Sequence, residues 1–418
     1  MQTAALKDQY ENFPFPPLQI GALAHVAPPP ADARFACWYT RRQWPLNPLR
    51  ILDAGCGTGF STLKLSEANP DAQIVALDIS QNALQIAGQR LAAAGWLQHG
   101  KHWQHPQHSG QIALLQADLQ ALPDLGHFDY LHCSGVIHHL PDPLRGLRHL
   151  RRSLSDQGVA YLMVYAGASR QMIAQIQQVL QLLWRDPTDW REGLMLCRSL
   201  LRDLPEGHPF QQHYQQACQT VGELLGPEVA YSDAFLVDTY LQRCEHRWSQ
   251  PEWFTLLRQA GFAPARWLDE SSWQPAQYLP GLPDYLQRLS PEARWALADQ
   301  LRPAQHFALY VLPEALSVPD LPTLQPDQAV CVPHFIQLQH REESHWLDNG
   351  RGQQLRLDTA CTFAWQHLKR QPAPISWQSL WQAVQQAYPE YPATEFWHFA
   401  RLLLQHEFVG LLVSKALT

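Results

Sequence analysis

The chain contains no run of five or more basic residues, and its formal net charge is −7. A nucleic-acid ligand normally demands a basic stripe that displaces phosphate counterions, so a partner of that class is disfavoured. No stretch approaches 18 uninterrupted apolar residues, which argues against a membrane-spanning helix. The N-terminus has neither a basic start nor an apolar run, so no signal peptide is expected. None of the eight cysteines forms a Cys-x-x-Cys pair, and 418 residues can fold without covalent staples. Reduced thiols in a cytoplasmic protein are the expectation. Methionine is scarce at 4 copies, whereas tryptophan is present 16 times. Such an aromatic supply suits large buried cores, and also pockets that enclose a flat or cationic ligand.

The length predicts two or three domains, and no internal repeat is visible. Residues 1–48 are proline-rich, with Tyr10-Glu-Asn-Phe-Pro-Phe-Pro-Pro17 and Pro28-Pro-Pro30, and read as an N-terminal arm. From Arg50, short apolar runs at 50–54, 74–78, 112–116, 129–133 and 158–166 read as buried, mostly parallel strands. Helical patterns at 60–68, 81–94 and 143–155 separate them, which predicts a doubly wound α/β domain over 49–315. Apolar residues at helical spacing over 169–185, behind a Ser169 cap, open a helical insertion reaching about 245. The α/β pattern resumes with a helix at 251–260 and strands near 263–268 and 306–312. Prolines 313, 319, 322 and 326 mark a linker. In residues 331–418, helices at 357–369, 376–387 and 394–406 plus a strand at 408–413 predict a smaller, mainly helical, winged-helix-like domain.

The chemistry concentrates in Ile51-Leu-Asp-Ala-Gly-Cys-Gly-Thr-Gly59, where an apolar strand ends at Asp53 and three alternate glycines precede a helix. Glycine permits the sharp turn and lets a ligand approach the backbone, and the helix N-terminus offers free N–H groups to a carboxylate. A second strand ends in Asp78, placed to take two ribose hydroxyls, and Ile79 can lie against a purine. Gln116-Ala-Asp-Leu119 puts a further acid after the third strand, and Ser134-Gly-Val-Ile-His-His139 leaves the fourth. A dinucleotide site wants Gly-x-Gly-x-x-Gly above a pyrophosphate; this loop is Gly-x-Gly-x-Gly, and NAD is the poorer fit.

This series resembles the class I S-adenosylmethionine (SAM)-dependent methyltransferases, closely over residues 50 to about 166 and more loosely to 312. The resemblance implies a Rossmann-like seven-stranded sheet. It implies that Asp53 and the loop Gly55, Cys56, Gly57 and Gly59 hold the methionine part of SAM. Asp78 would bind the ribose, Asp118 and Leu119 the adenine, and the Ser134 backbone would lie beside the cofactor's amino group. Beyond this core the chain is similar to bacterial methyltransferases with an N-terminal arm and a C-terminal accessory domain, some of which methylate protein lysines. In them such arms fold over the cofactor, which makes Tyr10 a further cofactor-side candidate.

Other patterns carry less. Asn12-Phe-Pro-Phe15 does not stand after the fourth strand, where a motif for amide or base nitrogens belongs, so those acceptors are rejected. Histidines 99, 102, 105 and 108 read as an exposed loop, and no metal is expected. Arg145, Arg148, Arg151 and Arg152 read as a solvated helix face. His138, His139 and Tyr165 sit near the expected methyl position; one of the two histidines can serve as a general base, with His138 the candidate and His139 equally readable as a buried structural residue. The predicted reaction is methyl transfer from SAM to a protein, peptide or small-molecule acceptor, by a protein that can also form a homodimer. A catalytically silent SAM-binding regulator is the alternative.

Overall fold

Nine strands form one sheet because apolar runs bury on both faces while helices cover them. The computed structural model describes residues 2–21, 29–40, 42, 48–316, 318, 323–333, 336–341, 344–349, 353–371, 374–406 and 408–412. Of the predicted proline-rich segments, Pro28, Pro319 and Pro322 lie outside the described residues. The arm supplies α1 (Gln2–Asn12) and α2 (Ala33–Tyr39). Then come β1 (Arg50–Ala54), α3 (Phe60–Ala68), β2 (Gln73–Asp78), α4 (Gln81–Ala93), β3 (Leu97–His99), β4 (His102–Gln104), β5 (Gln111–Gln116), β6 (Phe128–Ser134), α5 (Pro143–Ser153) and β7 (Leu154–Tyr165).

Five helices follow β7: α6 (Gln171–Leu183), α7 (Trp190–Asp203), α8 (Pro209–Leu225), α9 (Pro227–Ala230) and α10 (Asp233–Tyr240). They pack on their own apolar cluster, centred on Ile176, Leu180, Cys197, Leu236 and Tyr240. Ser169 does not cap α6 as expected. It sits in a single 3-10 turn and donates to the carbonyls of Ala166 and Gln305, leaving Arg170 at the cap position. The sheet is completed by α11 (Gln250–Gln259), β8 (Phe262–Trp267), α12 (Pro283–Gln287), α13 (Pro291–Leu301) and β9 (His306–Pro313).

The strand order is β3-β4-β5-β2-β1-β6-β7-β9-β8. The pairs β5/β2, β2/β1, β1/β6 and β6/β7 are parallel, and both edges are antiparallel. The sheet is thus a mixed, Rossmann-like one, but it has nine strands where seven were expected. The two additional strands are the β3–β4 hairpin, in the segment read as a loop. His99 pairs with His102 across it, and Trp103 is buried behind it. Its histidines defeated the apolar-run criterion, since only one residue in three of β4 points inward. The order reverses across β1 and β6, so the carboxyl ends of β2, β1 and β6 border the crevice where such sheets bind ligands.

The remaining residues build β10 (Ala329–Cys331), β11 (Gln337–Arg341), β12 (Ser344–Asp348), β13 (Gln354–Leu357), α14 (Thr359–Lys369), β14 (Ile375–Ser376), α15 (Trp377–Ala387), α16 (Ala393–Gln405) and β15 (Gly410–Leu412). Two three-stranded sheets, β14-β10-β15 and β11-β12-β13, accompany the three helices; only β15 was anticipated among these strands. Trp365, Trp377, Leu380 and Phe399 here belong to one apolar cluster with Phe35 of α2, Tyr161 of β7 and Tyr310 of β9. Tryptophan serves cores throughout, as in the parallel stack of Trp267 on Trp273 at 3.6 Å.

Trp365→Ala empties a fully buried ring site and is expected to cost about 3–5 kcal/mol. Because its cluster runs into the main sheet, a thermal melt should shift as one transition. A split melt in which the sheet's transition stays put would contradict the shared core.

Candidate functional site

The carboxyl ends of β1, β2, β5, β6 and β7 open into one cavity of about 340 Å³, roofed by the arm and by helices α8 and α10. Its size falls in the usual range of small-molecule sites, ~300–1,000 Å³. Gly55, Cys56, Gly57, Asp78, Ile79, Asp118, Leu119, Ser134, Tyr10 and Tyr165 all line it. Ten of the predicted residues, from Tyr10 to Tyr165, are thereby brought to one cavity by the sheet topology and the arm.

Three predicted residues stand elsewhere. Asp53 is buried behind the wall, where its Oδ2 accepts from Ser61 Oγ and Thr62 Oγ1, each at 2.7 Å. Its Oδ1 accepts from His132 Nδ1 at 3.0 Å, and His132 is the ring that reaches the cavity. Asp53 therefore fixes the start of α3 and the face of His132. Gly59 caps α3 at φ +81°, and a Cβ there would meet the Ala87 methyl at 2.6 Å, so this glycine serves helix packing. His138 is fully buried, and neither ring nitrogen has a hydrogen-bond partner. Its neighbour His139 lines the cavity instead, because the 3-10 turn Ile137–His139 aims successive side chains in different directions. Of the two adjacent histidines, His139 faces the cavity and His138 packs against the Tyr165 ring at 4.2 Å.

The loop before α3 is shaped by the arm as much as by any ligand. At Gly57, φ is +52° and a Cβ would lie 2.2 Å from the Phe15 carbonyl oxygen. Thr58 N donates to that same carbonyl at 3.2 Å, and Thr58 Oγ1 to Pro16 O at 2.7 Å. Arg90 of α4 donates to the carbonyls of Leu18 and Gln19. Glu11 accepts from Gln81 N, Asn82 N and Ser80 Oγ at the α4 N-terminus. A carboxylate there is favoured by free N–H groups and the helix dipole. Burial alone would raise the Glu11 pKa, but these donors leave it below the ordinary value.

Asp78 is the most loaded group of the wall. Its Oδ2 accepts from Gly57 N at 2.8 Å and its Oδ1 from Ser80 N at 2.9 Å. Burial nevertheless pushes its pKa up from 3.8 to about 6. Opposite, beyond β6 and β7, lies a second polar cluster. Tyr10 Oη donates to Asp238 Oδ1 at 3.0 Å and accepts from Gln242 Nε2 at 3.0 Å. Gln242 Nε2 also reaches His139 Nε2 at 3.5 Å. Arg170 forms a bidentate pair with Glu245, at 3.0 and 2.5 Å, and lies 4.2 Å over the Tyr165 ring. Asp238 also lines the cavity, and its pKa is raised by burial, against the pull of His139, Tyr10 and Arg170.

A family model described as a methyltransferase domain matches residues 52–160. An uncharacterised protein of Synechococcus sp. is 32% identical over 328 residues, which is 74% of this chain and 71% of that protein. Trans-aconitate 2-methyltransferase of Yersinia pseudotuberculosis is 32% identical over 145 residues, 33% of this chain and 56% of that enzyme. The solved structure of PKMT2 from Rickettsia typhi in complex with AdoHcy superposes with a TM-score of 0.58 at 14% identity, over 95% of this chain and 77% of that one. That last likeness is one of fold.

The chain belongs to the class I SAM-dependent methyltransferases.

SAM is the cofactor of this methyltransferase family, and the wall of the cavity suits it. Acceptor groups (Asp78, Asp118) stand at the β2 and β5 ends, where hydroxyls and an amino group would need them. The first turn of α3, where Phe60 and Ser61 line the cavity, presents backbone N–H groups at the β1–α3 end, where a carboxylate would need donors; the Ser61 hydroxyl is committed to Asp53 and the Lys64 ammonium to Glu67. His132, Asp238, Gln242, Ser61, Lys64 and Phe15 were not foreseen as site residues. His132 and Ser61 could have been reached from Asp53, whose burial on a central strand demands partners. Asp238 meets Tyr10 across 228 positions, and no local pattern signals that.

Removing the arm's anchor should loosen the roof. Glu11→Ala deletes three bonds at an α4 terminus and is expected to cost about 1 kcal/mol of arm docking. Amide exchange over residues 2–12 should rise roughly fivefold at unchanged overall fold; unaltered protection would refute this account of the arm.

Proposed function

We propose that this methyltransferase moves a methyl group from SAM to the nitrogen of an amine borne by a protein or peptide side chain. One observation carries the acceptor class. The cavity's β6–β7 end presents hydrogen-bond acceptors between aromatic rings: Asp238, whose Oδ2 has no partner among the described residues, and His139 Nε2, which only the long 3.5 Å contact of Gln242 Nε2 engages. The Tyr10 hydroxyl hydrogen is already committed to Asp238. Buried acceptors of this kind are satisfied by a ligand rich in N–H donors, and a carboxylate flanked by Tyr10 and Tyr165 favours a cation.

When bound, SAM supplies an already activated methyl carbon. The chain's own work is then alignment, exclusion of water and removal of one proton. We assign the methionine part to the backbone of Gly55, Cys56 and Gly57 with that of Phe60 and Ser61 at the α3 N-terminus. We assign the ribose to Asp78, the adenine to Ile79, Asp118 and Leu119, and the amino group to the Ser134 backbone. Asp53 acts through His132. Tyr10 joins the roof to the acceptor end, and Tyr165 forms its floor with Arg170 behind it.

We further propose three parts: an arm at 1–48, the SAM-binding domain at 49–315 with its helical lid at about 169–245, and an accessory domain at 331–418. A winged-helix-like reading of the last is supported by α14, β14, α15, α16 and β15 in that order, with β10 pairing both strands. Such a domain suits recognition of a macromolecular acceptor. The small-molecule alternative gains from no tryptophan, since none lines the cavity. A silent regulator would need no room beyond its cofactor, whereas the cavity runs on from Asp78 to Asp238.

Two measurements test this reading. Calorimetric titration with S-adenosylhomocysteine should show Asp78→Ala weakened by about tenfold or more, the loss of bonds to a charged group. The wild-type affinity should be flat above pH 7 and decline as pH falls through about 6, where the free Asp78 carboxylate takes up a proton; Asp78→Asn should abolish that slope. Equal affinity in folded Asp78→Ala sinks the cofactor assignment. Transfer of labelled methyl to lysine-containing peptides but not to carboxylic acids is expected for the acceptor, and the reverse pattern rejects the amine.

A further inference from the structure

The acceptor end of the cavity also holds a poised base. His139 Nδ1 lies 3.1 Å from the carbonyl oxygen of Cys244. A carbonyl can only accept, so Nδ1 carries the hydrogen and Nε2 presents its lone pair. That lone pair faces Gln242 Nε2, itself a donor, at 3.5 Å, in a ring that lines the cavity. The Cys244 carbonyl is held in place by its successor Glu245, which is clamped by Arg170 and by Arg247 at 3.1 Å.

We propose that His139 Nε2 is the proton acceptor of the methyl transfer. This rests on the amine reading above. An ammonium nitrogen has no lone pair and cannot attack. At Nε2 a proton is received: one N–H bond of the acceptor breaks, its electron pair stays on nitrogen, and an Nε2–H bond forms. That nitrogen pair then forms the C–N bond as the donor's S–C bond breaks, with the S–C pair left on sulfur. The imidazolium later returns its proton to solvent.

The surroundings of the ring keep it ready. Burial holds His139 below the ordinary histidine value, so it is neutral at physiological pH, and Arg170 pushes the same way. Asp238 of α10, Glu245 and the Cys244 carbonyl oppose that and favour the imidazolium once it forms. Tyr10 of α1 stands edge-on at 6.3 Å between ring centres, Tyr165 of β7 at 6.1 Å, and His138 at 4.1 Å. His138 offers no rival: it does not line the cavity. Asp238 has one oxygen bound to Tyr10 and serves to anchor the cation.

Nitrogen-detected NMR of histidine-labelled wild-type protein should show His139 as the Nδ1–H tautomer, neutral to below pH 6.5. An Nε2–H tautomer overturns the proposal without any substrate or cofactor. With Nα-acetyl-lysinamide and n-butylamine as probes, His139→Gln should lose about 100-fold in kcat at pH 7.5, at unchanged S-adenosylhomocysteine affinity. That loss should shrink as pH rises and solvent deprotonates the amine, and added imidazole should restore part of the rate in His139→Ala. A wild-type rate in His139→Gln, or a loss equal at every pH, overturns the role of His139 while leaving the amine reading intact. Amines that the wild-type protein does not methylate overturn both.

Discussion

The buried carboxylate of Asp78 is the constraint around which this end of the molecule is built. A pKa raised from 3.8 to about 6 corresponds to a cost on the order of 3 kcal/mol for keeping the anion at neutral pH. Two backbone donors, Gly57 N and Ser80 N, limit that cost. Each belongs to a segment fixed by the arm: Gly57 lies under the Phe15 carbonyl, and the Ser80 hydroxyl, which caps α4, also donates to Glu11. The arm, the glycine loop and the α4 N-terminus are therefore one assembly holding one charge.

The acceptor end obeys the same logic with different parts. Asp238 comes from α10, Tyr10 from α1, and His139 from the turn after β6. Their side chains meet across elements: Tyr10 bonds Asp238, and Gln242 links Tyr10 to His139. The chamber exists only when arm and lid are both seated on the sheet. Arg170 stabilises the lid's return segment through Glu245, and this buried pair also supports the ring of Tyr165 from behind.

Much of this was legible in the sequence because it obeys local rules. The central strands are runs of apolar residues, and β1 matched its expected bounds at Arg50–Ala54. The glycine loop, Asp78 and Asp118 stood at strand ends, where the α/β pattern puts ligand groups. What escaped was non-local or sparse. The β3–β4 hairpin has exposed polar residues beside one buried tryptophan, so no alternation announced it. Strands β10 and β14 are three and two residues long and pair with segments far away in sequence, whereas β11 to β13 are short neighbouring strands with mostly half-buried or exposed residues, so no apolar run marks them. The distinction between His138 and His139 depends on the pitch of one 3-10 turn, which two adjacent identical residues cannot reveal.

The same packing bears on how a cofactor enters. The cavity is lined by Leu6, Tyr10, Phe15 and Pro16 of the arm, so its roof is not a surface loop but a segment bonded to Thr58, Arg90 and the α4 N-terminus. Each such bond contributes roughly 0.5–1.5 kcal/mol net, and several must break together for the roof to lift. Open states are then a small minority, populated to about one part in a hundred to a thousand when about 3–4 kcal/mol is lost at once. A ligand that satisfies Asp78 deepens the closed state, because it removes the anion's cost at the very point where the arm is fastened. A ligand at Asp78 and a seated arm therefore favour each other, and helices α7 and α10 join in through Trp190, whose Nε1 donates to Asp8 and whose ring meets Phe13, and through Asp238, which accepts from Tyr10.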